Sequence, residues 1–207
     1  MVRSKESLEE EYRRVTPKSR AQWERAKKST LGLGRCEAVP PVRTALVIGA
    51  GVMGAGIAHW LASRGKRVLL RDVEARFLAK GLTRIQRLFD AGVRRGILTP
   101  LEAKQGMDRI TPCSGQIDLG CADLVVEAIA EKLEVKQEIF RRFDEWCPQH
   151  TILASNTSTF MPSKLAQVTG RADKVLVTHY FNPPFLMPLV EIVRSPATSE
   201  TTIKTVY

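Results

Sequence analysis

Two groups of residues in this sequence have types and spacings suited to chemistry. His179 and Glu191 stand at the two ends of HYFNPPFLMPLVE, twelve positions apart and separated by a proline-rich corner. An imidazole, with an unperturbed pKa of about 6.5, suits a general base near neutral pH. A carboxylate on its second ring nitrogen would fix the tautomer and offset the imidazolium charge. The corner predicts a chain reversal that folds Glu191 back onto His179. The plain alternative is two surface residues that cap separate strands.

The second group is the glycine run GAGVMGAG, in which Gly49, Gly51 and Gly54 form G-x-G-x-x-G between an apolar strand and a helical pattern. Gly49 permits a tight turn out of the strand, Gly51 lets backbone approach a pyrophosphate, and Gly54 lets helix and strand pack closely. Val52 and Met53 open the helix and belong to the same cradle, where free N–H groups and the helix dipole favour an anion. A second apolar run ends in Asp72, 23 positions after Gly49, about where a ribose-binding acid is expected. Its carboxylate would repel a 2′-phosphate, so NAD is expected over NADP; Arg71 beside it is the one residue that argues the other way.

These residues need a scaffold. From Thr44 onward short β-branched or leucine-rich runs alternate with amphipathic stretches, which predicts an α/β domain of the Rossmann type, doubly wound around a mostly parallel sheet. Strands are expected at 45–48, 67–71, 109–111, 123–128, 151–155, 174–179 and 188–193. Helices are expected at 52–64, 75–95, 99–106, 132–146 and 161–168, with a last one beginning near 199. Residues 1–42 are polar and broken by Pro17, Gly32, Gly34 and Pro40-Pro41, and are read as a charged helical linker with helices near 6–14 and 18–28. The dinucleotide-binding domain is expected over 43–207.

Composition narrows the function classes. At 207 residues, 43% hydrophobic and 26% charged, the chain has the make-up of a globular protein able to bury a core. No apolar run approaches the roughly 18 residues of a membrane span, and a cytoplasmic or organelle-matrix location is expected. The net charge of +10 is spread along the chain and interleaved with acids, so nucleic acid is not the expected partner. Cys36, Cys113, Cys121 and Cys147 lack metal-ligand spacing, and His150 near Cys147 does not change that; free thiols and no metal are expected. Arg84, Arg87, Arg94 and Arg95 could face phosphates, but a solvated helix face is the simpler reading.

Over residues 43–207 the sequence resembles the NAD-binding domain of the L-3-hydroxyacyl-CoA dehydrogenases. The resemblance rests on GAGVMGAG, DLVVEAIAEKLEVKQ, ILASNTST and HYFNPPFLMPLVEIV, in that order. It implies NAD-dependent oxidation of an acyl-CoA substrate in fatty-acid β-oxidation, with His179 as base, Glu191 as its partner and Ser158 near the substrate oxygen. It also implies that Glu131, Lys136 and Asn182 lie around the nicotinamide end of the cofactor. The MPLVEI ending is similar to multifunctional fatty-acid oxidation proteins, which makes a fused enoyl-CoA hydratase domain before residue 43 the natural expectation. The family's C-terminal helical domain, the seat of homodimer contacts, would follow Tyr207; without it turnover is expected to be weak or absent. Related enzymes that oxidise a small hydroxy acid such as L-gulonate, and a non-catalytic NAD-binding protein, are the other readings.

Overall fold

The computed structural model describes residues 39–114, 119–187 and 189–207, and the compact unit they form runs from Pro40 to Tyr207. The helices expected near 6–14 and 18–28 lie outside the described residues. Six parallel strands form the body of the sheet: β1 Thr44–Ile48, β2 Arg67–Arg71, β3 Ile110–Cys113, β4 Leu124–Glu127, β5 Ile152–Ser155 and β6 Val175–Tyr180. A seventh, β7 Val190–Arg194, runs antiparallel to β6. Among the described residues the spatial order is β3-β2-β1-β4-β5-β6-β7, so the chain reverses its direction of travel between β1 and β4. In such sheets ligands bind outside the carboxyl ends of the strands at this switch point.

The apolar runs form strands because both faces of the sheet are covered. In β1 the side chains alternate between two cores: Ala45 and Val47 join the layer with α1 Val52–Ser63 and α2 Ala75–Arg94, while Leu46 and Ile48 join the layer with α4 Leu133–Trp146. Helix α3 Pro100–Asp108 starts at a capping box, in which Glu102 N–H donates to Thr99 Oγ1 and Thr99 N–H donates to the Glu102 carboxylate. Two short helices, α5 Pro162–Ala166 and α6 Glu200–Val206, complete the set.

The structure moves some boundaries. The strand expected at 109–111 spans Ile110–Cys113 and includes Pro112, which an edge strand tolerates because, among the described residues, no strand pairs with its outer side. The helix expected to reach 168 stops at Ala166, and the chain then turns toward Arg171. The Arg171 side chain, 1% exposed, donates to the carbonyls of Asp144, Cys147 and Pro148 and pairs with the Asp144 carboxylate at 2.6 Å. It thereby satisfies the carbonyl end of α4, an arrangement that joins two elements far apart in sequence.

Candidate active site

The crevice at the switch point has a cradle on one side. Gly49 adopts φ 99°, and a Cβ there would lie 2.6 Å from the Ala128 carbonyl oxygen; a Cβ on Gly54 would lie 1.8 Å from the Gly49 oxygen. These two positions admit only glycine. Gly51 has nothing within 4 Å of where its Cβ would be and is exposed. No side chain caps α1, whose N-cap is Gly51 itself. An uncapped helix start beside an open backbone fits a pyrophosphate. Val52 is 54% exposed at this entrance, whereas Met53 packs partly against the core. Asp72 follows β2 directly; its carboxylate accepts from Ala50 N–H at 2.6 Å and Val73 N–H at 2.7 Å, which ties it to the glycine loop. Each of its oxygens retains a second lone pair for a ribose hydroxyl.

Across the crevice, the carboxyl ends of β4 and β5 carry a polar network centred on Glu127, a residue not singled out from the sequence. Glu127 is fully buried, as is Lys136 at 1% exposure. Lys136 Nζ lies 2.8 and 3.0 Å from the two Glu127 oxygens and 3.1 Å from Glu131 Oε2. Glu127 also accepts from Ile129 N–H at 2.7 Å and from the Ser155 hydroxyl at 2.5 Å. Thr157 donates its hydroxyl to Glu131. Partial burial pushes the Glu131 carboxyl up, but hydrogen bonds from Thr157, Lys136 and Thr159 and the Lys136 charge outweigh it and hold the group below the usual carboxylate range. Of the residues expected around the cofactor here, Glu131 reaches the surface at 40% side-chain exposure, while Lys136, at 1%, stays buried behind it and does not reach the crevice itself.

The antiparallel pairing of β6 and β7 puts His179 opposite Glu191, with His179 Nδ1 2.8 Å from Glu191 Oε2. The corner between them packs on α1: Pro184 carbons lie 2.9 Å from where a Cβ on Gly56 would be, and the Trp60 and Tyr180 rings meet edge to face at 5.5 Å. Asn182 is exposed in that corner. Ser158 is exposed three residues beyond the end of β5, the strand beside β6. The structure thus brings His179 and Glu191 into contact and sets Ser158 on the neighbouring loop. Asn156 ties the two strands together, its side-chain oxygen accepting from Tyr180 N–H at 2.9 Å.

The remaining histidines stand apart. His59 on α1 is 9% exposed, packs against the Phe89 ring tilted by 54° at 4.4 Å, and has no hydrogen-bond partner for either ring nitrogen among the described residues. Burial, with the nearby Arg64 charge adding to it, pushes its pKa down to about 4. His150 faces Asp123 at 3.8 Å. Among the described residues no group of three or more His, Cys, Asp or Glu could hold a metal ion, and no helix is long and apolar enough to cross a membrane.

With this geometry in view, comparison with known proteins is decisive at the family level. The profile of the 3-hydroxyacyl-CoA dehydrogenase NAD-binding domain matches residues 44–207. The chain belongs to that family. NAD is the cofactor of this family, in keeping with the cradle and with Asp72. A curated relative, the fatty acid oxidation complex subunit alpha of Pseudomonas paraeruginosa, is 38% identical over 169 residues, which is 82% of this chain and 24% of the relative. The chain therefore spans about a quarter of the length of such relatives. A 3-hydroxybutyryl-CoA dehydrogenase from Escherichia coli superimposes with a TM-score of 0.78 at 38% identity, covering 81% of this chain and 35% of that one. The (S)-3-hydroxybutyryl-CoA dehydrogenase of Ralstonia eutropha does so with a TM-score of 0.77 at 36% identity, covering 80% and 58%.

Proposed function

We propose that this domain binds NAD across the β1/β4 crevice and, within a longer protein, oxidises an L-3-hydroxyacyl-CoA to the 3-ketoacyl-CoA in fatty-acid β-oxidation. The single observation that carries the reading is the 2.8 Å contact between His179 Nδ1 and Glu191 Oε2 beside the crevice. With the proton on Nδ1 donated to Glu191, Nε2 holds the lone pair and faces the substrate as base. His179 then takes the proton of the 3-hydroxyl while C3 becomes a carbonyl carbon, and Glu191 stabilises the imidazolium that forms. When bound, NAD accepts the hydride leaving C3. Ser158 donates a hydrogen bond near the substrate oxygen. Asp72 holds the adenosine ribose, the first turn of α1 holds the pyrophosphate, and Glu131 and Asn182 border the nicotinamide half, with Lys136 buried behind Glu131.

The relatives are subunits of a fatty acid oxidation complex and 3-hydroxybutyryl-CoA dehydrogenases. In this reading the parent carries an enoyl-CoA hydratase domain ahead of this one and a helical domain after it that closes the substrate cleft and pairs two subunits. A cytoplasmic or matrix setting goes with it. The test is NADH formation by the longer parent with 3-hydroxybutyryl-CoA and with L-gulonate. The acyl-CoA should be oxidised and L-gulonate should not; the reverse overturns the substrate assignment. His179→Ala should lower kcat by roughly 10²- to 10⁴-fold with little change in NAD affinity, and undiminished turnover would remove His179 as the base.

A further inference from the structure

The buried cluster at the end of β4 has a feature that holding a cofactor does not require. Two carboxylates surround one ammonium, so Glu127, Lys136 and Glu131 together carry a formal charge of −1. If the network served only to shape the two loops, neutral side chains could make the same hydrogen bonds. Removing charges from water in this way is costly, and here ion pairing and hydrogen bonds offset the cost. The cluster also sits close to the crevice: Glu127 accepts from Ile129 N–H, and the Ile129 side chain lies 3.3 Å from where a Cβ on Gly49 would be. The excess negative charge reaches the surface at Glu131, on the β4 side of the switch point, whereas the ribose acid Asp72 stands on the β2 side.

We propose that Glu127 is a positioning residue that cancels the buried Lys136 charge, keeps the cluster at −1, and so biases the crevice toward the cationic oxidised form of NAD over the neutral reduced form. The proposal rests on the reading that the nicotinamide half lies at Glu131. Oxidised nicotinamide carries a positive charge that the reduced ring lacks, so a nearby fixed negative charge lowers Kd for NAD⁺ relative to NADH. Glu127 acts only through Lys136, Glu131 and the loops it anchors; it touches neither substrate nor cofactor. With Glu127 neutral, Lys136 would offset Glu131 and the bias would vanish.

The ratio Kd(NADH)/Kd(NAD⁺) tests this in the full 207-residue chain, with calorimetry for NAD⁺ and fluorescence for NADH. A unit charge acting across on the order of 10 Å at an effective dielectric constant of about 20 to 40 changes such a ratio roughly four- to fifteen-fold. Glu127→Gln, at cluster charge 0, should lower the ratio by that factor. Lys136→Gln, at −2 when measured at a pH high enough to keep the now unpaired Glu127 ionised, should raise it, and the double variant, again at −1, should return it to the wild-type value. If Glu127→Gln alone does not fold, the step from Lys136→Gln to the double variant carries the same information. A merely structural role predicts weaker binding of both forms with no dependence on cluster charge, and that result overturns the proposal. Glu131→Gln separates the two levels of argument. If it lowers the ratio while the Glu127 and Lys136 series leaves it flat, only the role of Glu127 fails. If it too leaves the ratio unchanged, the placement of the nicotinamide half fails and takes the proposal with it.

Discussion

Lys136 meets Glu127 and His179 meets Glu191 at the same 2.8 Å, yet the first pair is 1% and 0% exposed and the second 23% and 51%. The first sits between β4 and α4, where Lys136 is held by Glu127 and Glu131, and Glu127 by Lys136, Ile129 N–H and the Ser155 hydroxyl. The second sits where an antiparallel strand joins the edge of the parallel body, open to whatever enters the crevice. Distance alone does not distinguish them; the surrounding medium does. In a dry interior a pair becomes a fixed part of the architecture, while a partly wet pair can gain and lose a proton at little cost to the fold.

The largest effect should come from breaking the buried pair on one side. Glu127→Leu leaves Lys136 without its closest counter-charge and should cost about 3 to 5 kcal/mol, read from denaturant midpoints. Glu127→Leu with Lys136→Met removes both charges and should recover most of that loss. Recovery should fall short by about 1 to 2 kcal/mol, because Ile129 N–H and the Ser155 hydroxyl also lose their acceptor. If the double variant were no more stable than the single one, the loss would not come from an uncompensated charge.

A buried group with no hydrogen-bond partner among the described residues sharpens the same contrast. His59 is neutral in the fold because burial has pushed its pKa down to about 4, against an ordinary value of 6.5. Above pH 6.5 neither state binds the proton and the residue has no pH effect. As pH falls from 6.5 toward 4 the unfolded chain takes up a proton that the folded chain refuses, so stability drops by about 1.4 kcal/mol per unit; below 4 both states bind it and the slope ends. Between pH 7.5 and 5 this amounts to about 2 kcal/mol. His59→Leu should remove that part of the decline, and denaturation curves at the two pH values measure it. An unchanged slope in the variant would assign the acid sensitivity to other groups.

How much of this was legible in the sequence follows the same division. The strands around the glycine loop stood out because a strand buried on both faces is a continuous apolar run, and Gly49, Gly54 and Asp72 sit at spacings fixed by a turn and one helix. His179 and Glu191 could be matched across the corner because an ionisable residue at each end of an apolar stretch is conspicuous. Their pairing needed the strand register, which sets His179 opposite Glu191. Glu127 and Arg171 were passed over. The signal for Glu127 was a charged residue closing an otherwise apolar strand, and its partner lies nine positions on, in the next helix. Arg171 looks like one of many surface cations until its contacts with the end of α4 are seen. Such residues are defined by long-range packing, to which local pattern is blind.

The smallest stability effect belongs to the exposed pair. Glu191→Gln keeps size and shape and leaves His179 Nδ1 a carbonyl acceptor, while solvent at Glu191 already screens much of the attraction. The change in unfolding free energy should stay below about 1 kcal/mol, and calorimetric midpoints of variant and wild type should nearly coincide. In the longer parent, turnover should nevertheless fall, because the imidazolium loses its compensating charge at the moment the proton arrives. A stability loss at Glu191 as large as at Glu127 would mean that the hairpin pair is structural after all. Its openness would then be incidental rather than the property that suits His179 to the proposed role of base.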